Sequence, residues 1–366
     1  MLNSRLKAEL GRVDRFIAEL TQSGKVRAAA ICVGRSGSIL HVSSHGLLSP
    51  EQGTHQVTED SLFLVASLAK PITVTALMML VECGLVRLDD RVCEYVPAFA
   101  RNEKHEVRLR HLMTHTSGLP DMAPDNLTLR ARHAPLAEFI SSICEAPLGF
   151  VPGSRVSYQS TGIAILAAVV EAVSGETLPA FLERHLFAPL KMSSTSLGAK
   201  PESLDRIASV RLDSEQLGTD WHWNTPYWLG LGAPWGGLIT SPVEYGRFCR
   251  MMLNEGTLDG VRILSPATVR AMTSNQLEGM PAIPEEDRRC RPWGLGWRLN
   301  WPGSSSNFGD LLGPRTYGHW GATGTLCWID PVADAFLVLF TTEPGGEEGR
   351  HLAAASNMVA ASFHSP

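Results

Sequence analysis

The sequence predicts an α/β fold in two parts: an antiparallel sheet flanked by helices and made from both chain ends, with a mostly helical insertion between them. Strand-like apolar segments occur near both ends of the sequence, whereas helical periodicity and long loops fill the middle. The 366 residues suffice for one large domain or two interleaved ones. We place the α/β domain at residues 1–75 and 236–366, and the mostly helical domain at residues 76–235.

The first 84 residues predict a helix, two strands and a second, buried helix. Apolar residues recur at helical spacing near the start, until Ser23-Gly24 ends the pattern. These apolar residues are Leu2, Leu6, Leu10, Val13, Ile17 and Leu20. Residues 27–33 and 39–43 are predicted to be strands joined by a tight turn. Residues 63–66 then lead into an apolar helix that has Ser67 in its first turn and ends near residue 84.

The rest of the chain predicts helices first and strands last. Helices are expected at residues 108–114, 136–144, 161–173, 179–187, 243–253 and 266–273. A loop rich in proline and tryptophan is expected at residues 221–235, and an irregular segment at residues 278–310. Strands are expected at residues 297–299, 325–329 and 335–341, and a closing helix at residues 349–363.

Composition and charge exclude several classes of protein. With 44% hydrophobic and 19% charged residues the chain is globular rather than disordered, and a net charge of −5 gives no basic surface for nucleic acid or an anionic membrane. Charges interrupt the N-terminal apolar pattern, so we expect no signal peptide and a cytoplasmic protein, and no uncharged stretch reaches transmembrane length. The seven scattered cysteines never form Cys-x-x-Cys, which predicts reduced thiols and no metal site.

Ser67 and Lys70 form the first candidate catalytic pair. They lie three residues apart, on one face of the predicted helix, and Pro71 fits a helix start because its missing N–H would be unpaired there anyway. The positive helix end and the apolar neighbours both favour a neutral lysine, which can take the proton of a serine hydroxyl. The same spacing occurs at Ser4 and Lys7, but on a charged segment that has no apolar pocket to offer.

Tyr158 is the second candidate and lies in a loop just before the apolar helix at residue 161. A tyrosine hydroxyl close to Ser67 and Lys70 can pass a proton to the leaving group as general acid and base. Ser160 completes the one Tyr-x-Ser or Tyr-x-Asn sequence in the chain. The alternative interpretation is a tyrosine with its ring in the core and its hydroxyl on a backbone carbonyl.

The glycine-rich segment from His319 to Gly324 is the third candidate. It precedes a predicted strand, and its glycines let a substrate approach the backbone along a strand edge. A backbone N–H in this segment, for which we name Ala322, can pair with that of Ser67 as an oxyanion hole. The alternative interpretation is a glycine-rich turn whose histidine faces solvent.

Together these motifs resemble those of the serine β-lactamase and penicillin-binding-protein-like superfamily, close to its class C branch. The signatures of that superfamily are Ser-x-x-Lys, Tyr-x-Asn (or Ser) and Lys/His-x-Gly, and they occur here in that order as Ser67/Lys70, Tyr158/Ser160 and His319/Gly321. The branch also includes bacterial carboxylesterases of the family VIII type, D-aminopeptidases and D-amidases. Further segments similar to the family, at residues 88–92, 111–119, 236–242 and 293–297, extend the resemblance over nearly the whole chain.

The resemblance implies a β-lactamase-like fold and a role for each motif residue. It implies that Ser67 is the acylated nucleophile, that Lys70 and Tyr158 are the acid/base pair, and that the N–H groups of Ser67 and Ala322 form the oxyanion hole. Which of Lys70 and Tyr158 takes the first proton stays open. We further expect the substrate to contact Ser160, Trp235, His319, Trp320 and Gly321.

Two departures from the lactam-recognising pattern favour esters. In β-lactamases a lysine at the position of His319 helps to hold the substrate carboxylate, and a histidine is mostly neutral at pH 7. Ser160 replaces an asparagine whose amide both donates and accepts hydrogen bonds. We therefore predict a serine hydrolase that uses no metal or cofactor and acts on small carboxylic esters. The alternatives are a D-amino-acid amidase or D-peptidase, a weak β-lactamase, an acyltransferase and, in another class, a catalytically silent binding protein with this fold.

Other candidate residues have competing structural interpretations. The aromatic residues of the loop at 221–235 either line an acyl pocket or seal a junction between two domains. The same two interpretations, pocket or packing, apply to His222. Asp89 and Asp90 are expected to cap or pair structurally. His111, His115 and Ser117 are expected to form a hydrogen-bonded core turn rather than a second catalytic triad.

Overall fold

The structure, a computed structural model, describes residues 4–49, 53, 55–300, 308–344 and 349–363. The predicted first helix includes Leu2, which lies outside the described residues, as do residues 301–307 of the segment predicted to be irregular. The strands, in chain order, are β1 Ala28–Gly34, β2 Ile39–Gly46, β3 Phe63–Leu64, β4 Ser196–Leu197, β5 Leu238–Thr240, β6 Thr257–Leu258, β7 Val261–Arg262, β8 Arg298–Leu299, β9 Tyr317–Gly321, β10 Thr325–Asp330 and β11 Ala335–Thr341.

The main sheet is antiparallel and is made from both ends of the chain. Its six strands lie in the order β2-β1-β11-β10-β9-β8, so the first strand of the chain pairs with the last. Ala29 lies opposite Thr341, and Gly34 lies opposite Phe336. A small sheet, in the order β3-β5-β4, lies next to the segment that contains Ser67. The antiparallel sheet predicted from the strand-like ends of the sequence is therefore confirmed.

Both faces of the main sheet are covered. The helices are α1 Ser4–Gln22, α2 Ala69–Glu82, α3 Leu109–Met113, α4 Asn126–Ala131, α5 Leu136–Glu145, α6 Thr161–Ser174, α7 Leu178–Leu182, α8 Pro226–Gly230, α9 Pro242–Leu253, α10 Pro266–Met272, α11 Glu285–Cys290 and α12 Arg350–Phe363. On β1, Ile31 faces the core shared with α1 and α12, and Cys32 faces the core shared with α9 and the helical region. Because both faces are covered, β1, β10 and β11 are buried along their whole length and mostly apolar instead of alternating.

Helices α2 and α6 form the centre of the helical region and pack against each other. Ile72 and Leu77 of α2 and Ile165 and Val169 of α6 are buried in the same core. A helix that is apolar on all sides is stable only when it is surrounded by other elements. Helix α2 therefore holds its first turn, with Lys70, deep inside the protein.

Three local features differ from the predictions. Residues 317–321 form strand β9, where the sequence predicted only the approach to a strand. The short helix α8 lies within the segment predicted to be a loop, and the short helix α11 lies within the segment predicted to be irregular. Within the described ranges, no single helix is long and apolar enough to cross a membrane. The consecutive helices Thr161–Ser174 and Leu178–Phe187 reach that length and hydropathy only when taken together, and they meet at an angle of 75°.

Candidate active site

Ser67 lies in a tight turn between β3 and α2. Residues Ala66–Leu68 form this turn, and α2 begins one residue later. The backbone of Ala66 has φ +48°, a left-handed conformation that costs about 1–3 kcal/mol in a residue other than glycine. Such a conformation persists only where its surroundings impose it.

Side chains from the sheet and from α9 impose this conformation on the turn. The Thr325 hydroxyl donates to the carbonyl of Val65 at 2.9 Å, and the buried Tyr245 hydroxyl donates to the carbonyl of Leu68 at 3.0 Å. These carbonyls lie just before and just after the turn residues Ala66 and Ser67. The position of the serine is therefore fixed by parts of the chain that are far away in sequence.

Lys70 is fully buried and contacts the Ser67 side chain directly. Its Nζ donates to Ser67 Oγ at 2.8 Å and to the carbonyl of Trp235 at 3.1 Å. Burial lowers the pKa of Lys70 to about 7, against a smaller opposing effect of the Asp121 carboxylate. Near neutral pH a large fraction of Lys70 is uncharged, and its amine is then able to accept the Ser67 proton.

Tyr158 lies against Lys70, with its ring buried. Lys70 Nζ is 4.8 Å from the centre of the Tyr158 ring, and in the part of the chain that the structure describes the Tyr158 hydroxyl forms no hydrogen bond to a backbone carbonyl. The alternative of a core tyrosine bonded to a backbone carbonyl is therefore wrong. Burial raises the pKa of Tyr158, the Ser67 hydroxyl opposes this increase, and Asp121 adds to it. Tyr158 is a neutral phenol that can donate a proton.

His319 is buried within β9, so the alternative of a histidine in a solvent-facing turn is wrong. Its Nδ1 lies 2.9 Å from the backbone N of Trp320 and 2.8 Å from its carbonyl O. Burial and the neighbouring Lys70 lower the pKa of His319 to about 3, against the opposing hydrogen bond to Trp320. His319 is therefore neutral at pH 7, and the site lacks a permanent cation at this position.

Gly321 brings the end of β9 against the turn that contains Ser67. A Cβ atom on Gly321 would lie 2.3 Å from the carbonyl O of Val65 and 2.2 Å from Thr325 Oγ1, so only glycine fits. Ala322, the next residue, is exposed in the turn between β9 and β10. This close approach puts the backbone of Ala322 on the same side of the site as the Ser67 turn.

Trp320, Trp293 and His115 surround the Tyr158 ring. The rings of Trp320 and Trp293 are each centred 6.0 Å from it, and the buried ring of His115 is 4.6 Å away. His115 has φ +59°, and its Nδ1 accepts the backbone N–H of Gln159 at 3.2 Å. The segment that contains His115, predicted to be a hydrogen-bonded core turn, thus packs against the Tyr158 ring. Sequence reasoning missed the contacts of His115 and Trp293 with Tyr158.

Ser160 and Trp235 line a small apolar cavity, and the Trp235 carbonyl accepts a hydrogen bond from Lys70. The other lining residues are Met122, Ala123, Asn126, Phe139, Ile143 and Thr161. Its volume is about 10 Å³, which is the room that one water molecule needs. Another cavity, of about 810 Å³, lies between residues 48–61 and 204–229 and includes no candidate site residue. Of these two cavities, the small one is lined by candidate site residues, Ser160 and Trp235, whereas Ser67, Lys70 and Tyr158 line neither.

The remaining aromatic residues of the loop at 221–235 mostly pack against helix α4 and its surroundings. The guanidinium of Arg130 lies 3.9 Å from the Trp228 ring centre, and Tyr227 stacks on His133 at 4.5 Å. His222 Nδ1 accepts the backbone N–H of Asn224 within its own loop. These contacts favour the junction interpretation for this part of the loop, whereas Trp235 lines the cavity.

Asp89 and Asp90 have structural partners, as predicted. Asp89 pairs with Arg110 at 3.0 Å, and Asp90 accepts the Tyr95 hydroxyl at 2.7 Å. Among the residues that the structure describes, no group of three or more His, Cys, Asp or Glu side chains is arranged to hold a metal ion.

Comparisons with known proteins match almost the full length of the chain. The profile of the beta-lactamase family matches residues 13–361. "Penicillin-binding protein 4" of Amycolatopsis lactamdurans is 33% identical over 319 residues, which are 85% of this chain and 78% of that protein. Two solved structures share the fold. EstCE1, a hydrolase with promiscuous acyltransferase activity, has a TM-score of 0.80 at 19% identity and covers 97% of this chain and 99% of its own. A family VIII carboxylesterase has a TM-score of 0.77 at 20% identity, over 96% and 97% of the two chains.

Proposed function

The chain belongs to the beta-lactamase family, and on that premise we propose that it is a serine hydrolase that cleaves small carboxylic esters through an acyl-enzyme on Ser67. The observation that supports this most directly is the 2.8 Å contact between Ser67 Oγ and the Nζ of a buried lysine with a pKa of about 7. A serine hydroxyl needs such a base to become a nucleophile at neutral pH.

In the acylation step, neutral Lys70 accepts the Ser67 proton while Oγ attacks the ester carbonyl carbon. The carbonyl oxygen becomes an oxyanion, which accepts hydrogen bonds from the N–H groups of Ser67 and Ala322. When the C–O bond to the alcohol breaks, Tyr158 donates its proton to the leaving alkoxide and recovers one from the Lys70 ammonium. We assign the first proton transfer to Lys70 because its amine already contacts Ser67, whereas burial raises the pKa of Tyr158.

In the deacylation step, a water molecule attacks the acyl carbon and gives its proton to Lys70. The carboxylic acid leaves, and the proton returns from Lys70 to Ser67 Oγ. The lysine is thus neutral at the start of both steps and is regenerated in each turnover. The same groups serve twice, as microscopic reversibility requires of an acyl-transfer site.

The neutral His319 favours esters over β-lactams as substrates. A buried imidazole with a pKa of about 3 offers no cation to a substrate carboxylate. Ser160 likewise lacks the amide that would bind a substrate peptide bond. Esters need neither contact, and their alkoxide leaving group needs less protonation than an amine. The family VIII carboxylesterase among the structural neighbours is consistent with this choice.

The alternatives differ in the bond that is cleaved or in the acceptor of the acyl group. A D-amino-acid amidase or D-peptidase would use the same residues on an amide, and a weak β-lactamase on a lactam. EstCE1, which has promiscuous acyltransferase activity, makes transfer of the acyl group to an alcohol a further candidate for this chain. A silent binding protein is disfavoured by the contact between Ser67 and Lys70, because binding alone does not require a buried amine beside a hydroxyl.

The test is hydrolysis of a short-chain nitrophenyl ester by the wild-type chain, by Ser67→Ala and by the control Ser4→Ala. We expect turnover in the wild type and in Ser4→Ala, and a loss of at least about 10³-fold in Ser67→Ala. No wild-type turnover of the ester would favour amides and D-peptides. Turnover that survives in Ser67→Ala would mean that the nucleophile has been misassigned.

A further inference from the structure

Asp121 presents a carboxylate at the rim of the candidate active site. Its Oδ1 accepts the backbone N–H of Ser160 at 2.8 Å, and its carbonyl accepts the N–H groups of Ser160 and Thr161 at 3.0 and 3.1 Å. The residue is exposed, and in the described ranges no cationic side chain forms an ion pair with it. The backbone thus holds this negative charge in place and leaves its outer oxygen to solvent.

The small apolar cavity begins next to this carboxylate. Ser160 and Thr161, whose N–H groups bind Asp121, both line the cavity, and so does Met122. On its other side the cavity is lined by Trp235, whose carbonyl accepts from the same Lys70 amine that contacts Ser67. Lys70 therefore links the wall of this cavity to the Ser67 side chain, and Ser160 links it to the Asp121 carboxylate.

Asp121 is a charged residue near the candidate catalytic pair Lys70 and Tyr158. Its carboxylate acts on both Lys70 and Tyr158. The two histidines against the Tyr158 ring, His115 and His319, are kept neutral by burial, which lowers the pKa of both. The site thus has a fixed negative charge and no matching permanent cation to receive an anion. A site that binds a substrate carboxylate needs a cation, whereas this site has a carboxylate and neutral histidines.

We propose that Asp121 and the cavity form a subsite for acyl groups that carry a protonated amine, with the ammonium bound by Asp121 and a small apolar group in the cavity. The substrate class is then an aminoacyl ester or amide with a short, uncharged side chain. The inference deepens the proposed function, since it requires the acyl group to reach Ser67. A cavity with room for one water molecule accommodates a group of about methyl size.

Three methyl esters of similar size differ only in charge at the far end of the acyl chain: 3-aminopropanoate, butanoate and hydrogen succinate. We would measure their dissociation constants by NMR titration on the Ser67→Ala chain, in which attack by the serine is removed. The cationic ester should bind about three- to fivefold more tightly than the neutral one, the range expected for an exposed ion pair, and the anionic ester most weakly. The preference should shrink at high salt.

The comparison is then repeated with Asp121→Asn added, since this change keeps an oxygen acceptor for Ser160 and removes the charge. The matched control is Asp205→Asn, which removes the same charge from an exposed residue outside the site. We expect Asp121→Asn to abolish the preference for the cation and Asp205→Asn to retain it. Equal binding of the three esters in the Ser67→Ala chain, or a preference that survives Asp121→Asn, would overturn the proposal.

Kinetics on the active chain separate this inference from the proposed function. If wild-type turnover depends on Ser67 but shows no charge preference, the subsite proposal alone fails. If no ester is turned over while the Asp121-dependent binding preference holds, the ester proposal alone fails. Should Asp121 act only by tuning Lys70, Asp121→Asn would move the pH dependence of turnover and leave the binding ratios unchanged, which also overturns the subsite.

Discussion

Two lysines in this chain are shielded from solvent and have different partners. Lys70 and Lys104 are both fully buried, and burial lowers the pKa of both. Lys104 Nζ donates to the carbonyls of Cys144 at 2.8 Å and Ala146 at 2.6 Å, at the C-terminal end of α5. Lys70 Nζ contacts one carbonyl and the Ser67 hydroxyl.

The difference teaches that burial alone does not make a lysine a base. Two carbonyls and the negative end of a helix stabilise the ammonium form of Lys104, which is a structural cation. The hydroxyl beside Lys70 accepts a hydrogen bond from an ammonium and donates one to an amine, so it is compatible with both protonation states. A residue that must gain and lose a proton in each turnover needs a partner of this second kind.

Replacement of Lys70 should have the largest effect on activity. Lys70→Met retains an unbranched side chain in the core and removes the amine, so kcat/KM for the ester should fall about 10³-fold. Steady-state kinetics measures the fall, and circular dichroism verifies that the variant is folded. Lys7→Met, on the exposed Ser4/Lys7 repeat of the same spacing, is the control and should retain wild-type kinetics. Near-normal turnover in Lys70→Met would contradict the assignment of the base.

The same replacement at Lys104 should affect stability instead. Lys104→Met leaves two buried carbonyls without a donor, and we expect the free energy of unfolding to decrease by about 2–4 kcal/mol. Urea denaturation measures the decrease, and kcat of the folded fraction should match the wild type. If Lys104→Met lowered kcat and left the denaturation midpoint unchanged, the two lysines would not differ as described here.

The effect of pH on kcat/KM should be smaller than the effect of replacing Lys70. Protonated Lys70 cannot accept the Ser67 proton, so kcat/KM should fall about tenfold per pH unit below the Lys70 pKa of about 7 and level off above it. His319, with a pKa of about 3, should add no further change between pH 5 and 8. The profile is read from initial rates in buffers of constant ionic strength. A profile that is flat from pH 5 to 8 would place the base elsewhere.

The parts of the fold and site predictable from sequence were those encoded by local patterns. Helical periodicity located α6 to within one residue, and the three motifs named Ser67, Lys70, Tyr158 and His319 before any contact among them was known. The catalytic roles of these residues remain predictions, whereas their proximity is a property of the structure.

Features that depend on distant contacts were not predictable. Nothing in the sequence around Asp121 indicates that the N–H of Ser160 fixes its carboxylate, because that bond joins two loops that are far apart in the chain. The burial of His319 follows from the pairing of β9 with both β8 and β10, and the short run Tyr317–Gly321 shows little strand pattern by itself. Helix α11, rich in charge and with no buried residue, lacks the apolar periodicity by which helices are recognised.

The pairing of β1 with β11 has a consequence for how this protein is made. During synthesis β1 leaves the ribosome long before the strand that completes its hydrogen bonds, Ala335–Thr341. The six-stranded sheet therefore cannot close on the nascent chain, and the apolar edge of β1 stays exposed to other chains while the middle of the protein is translated. Such long-range pairing slows folding. Until β11 pairs with it, β1 is a site at which the incomplete chain can associate with other chains.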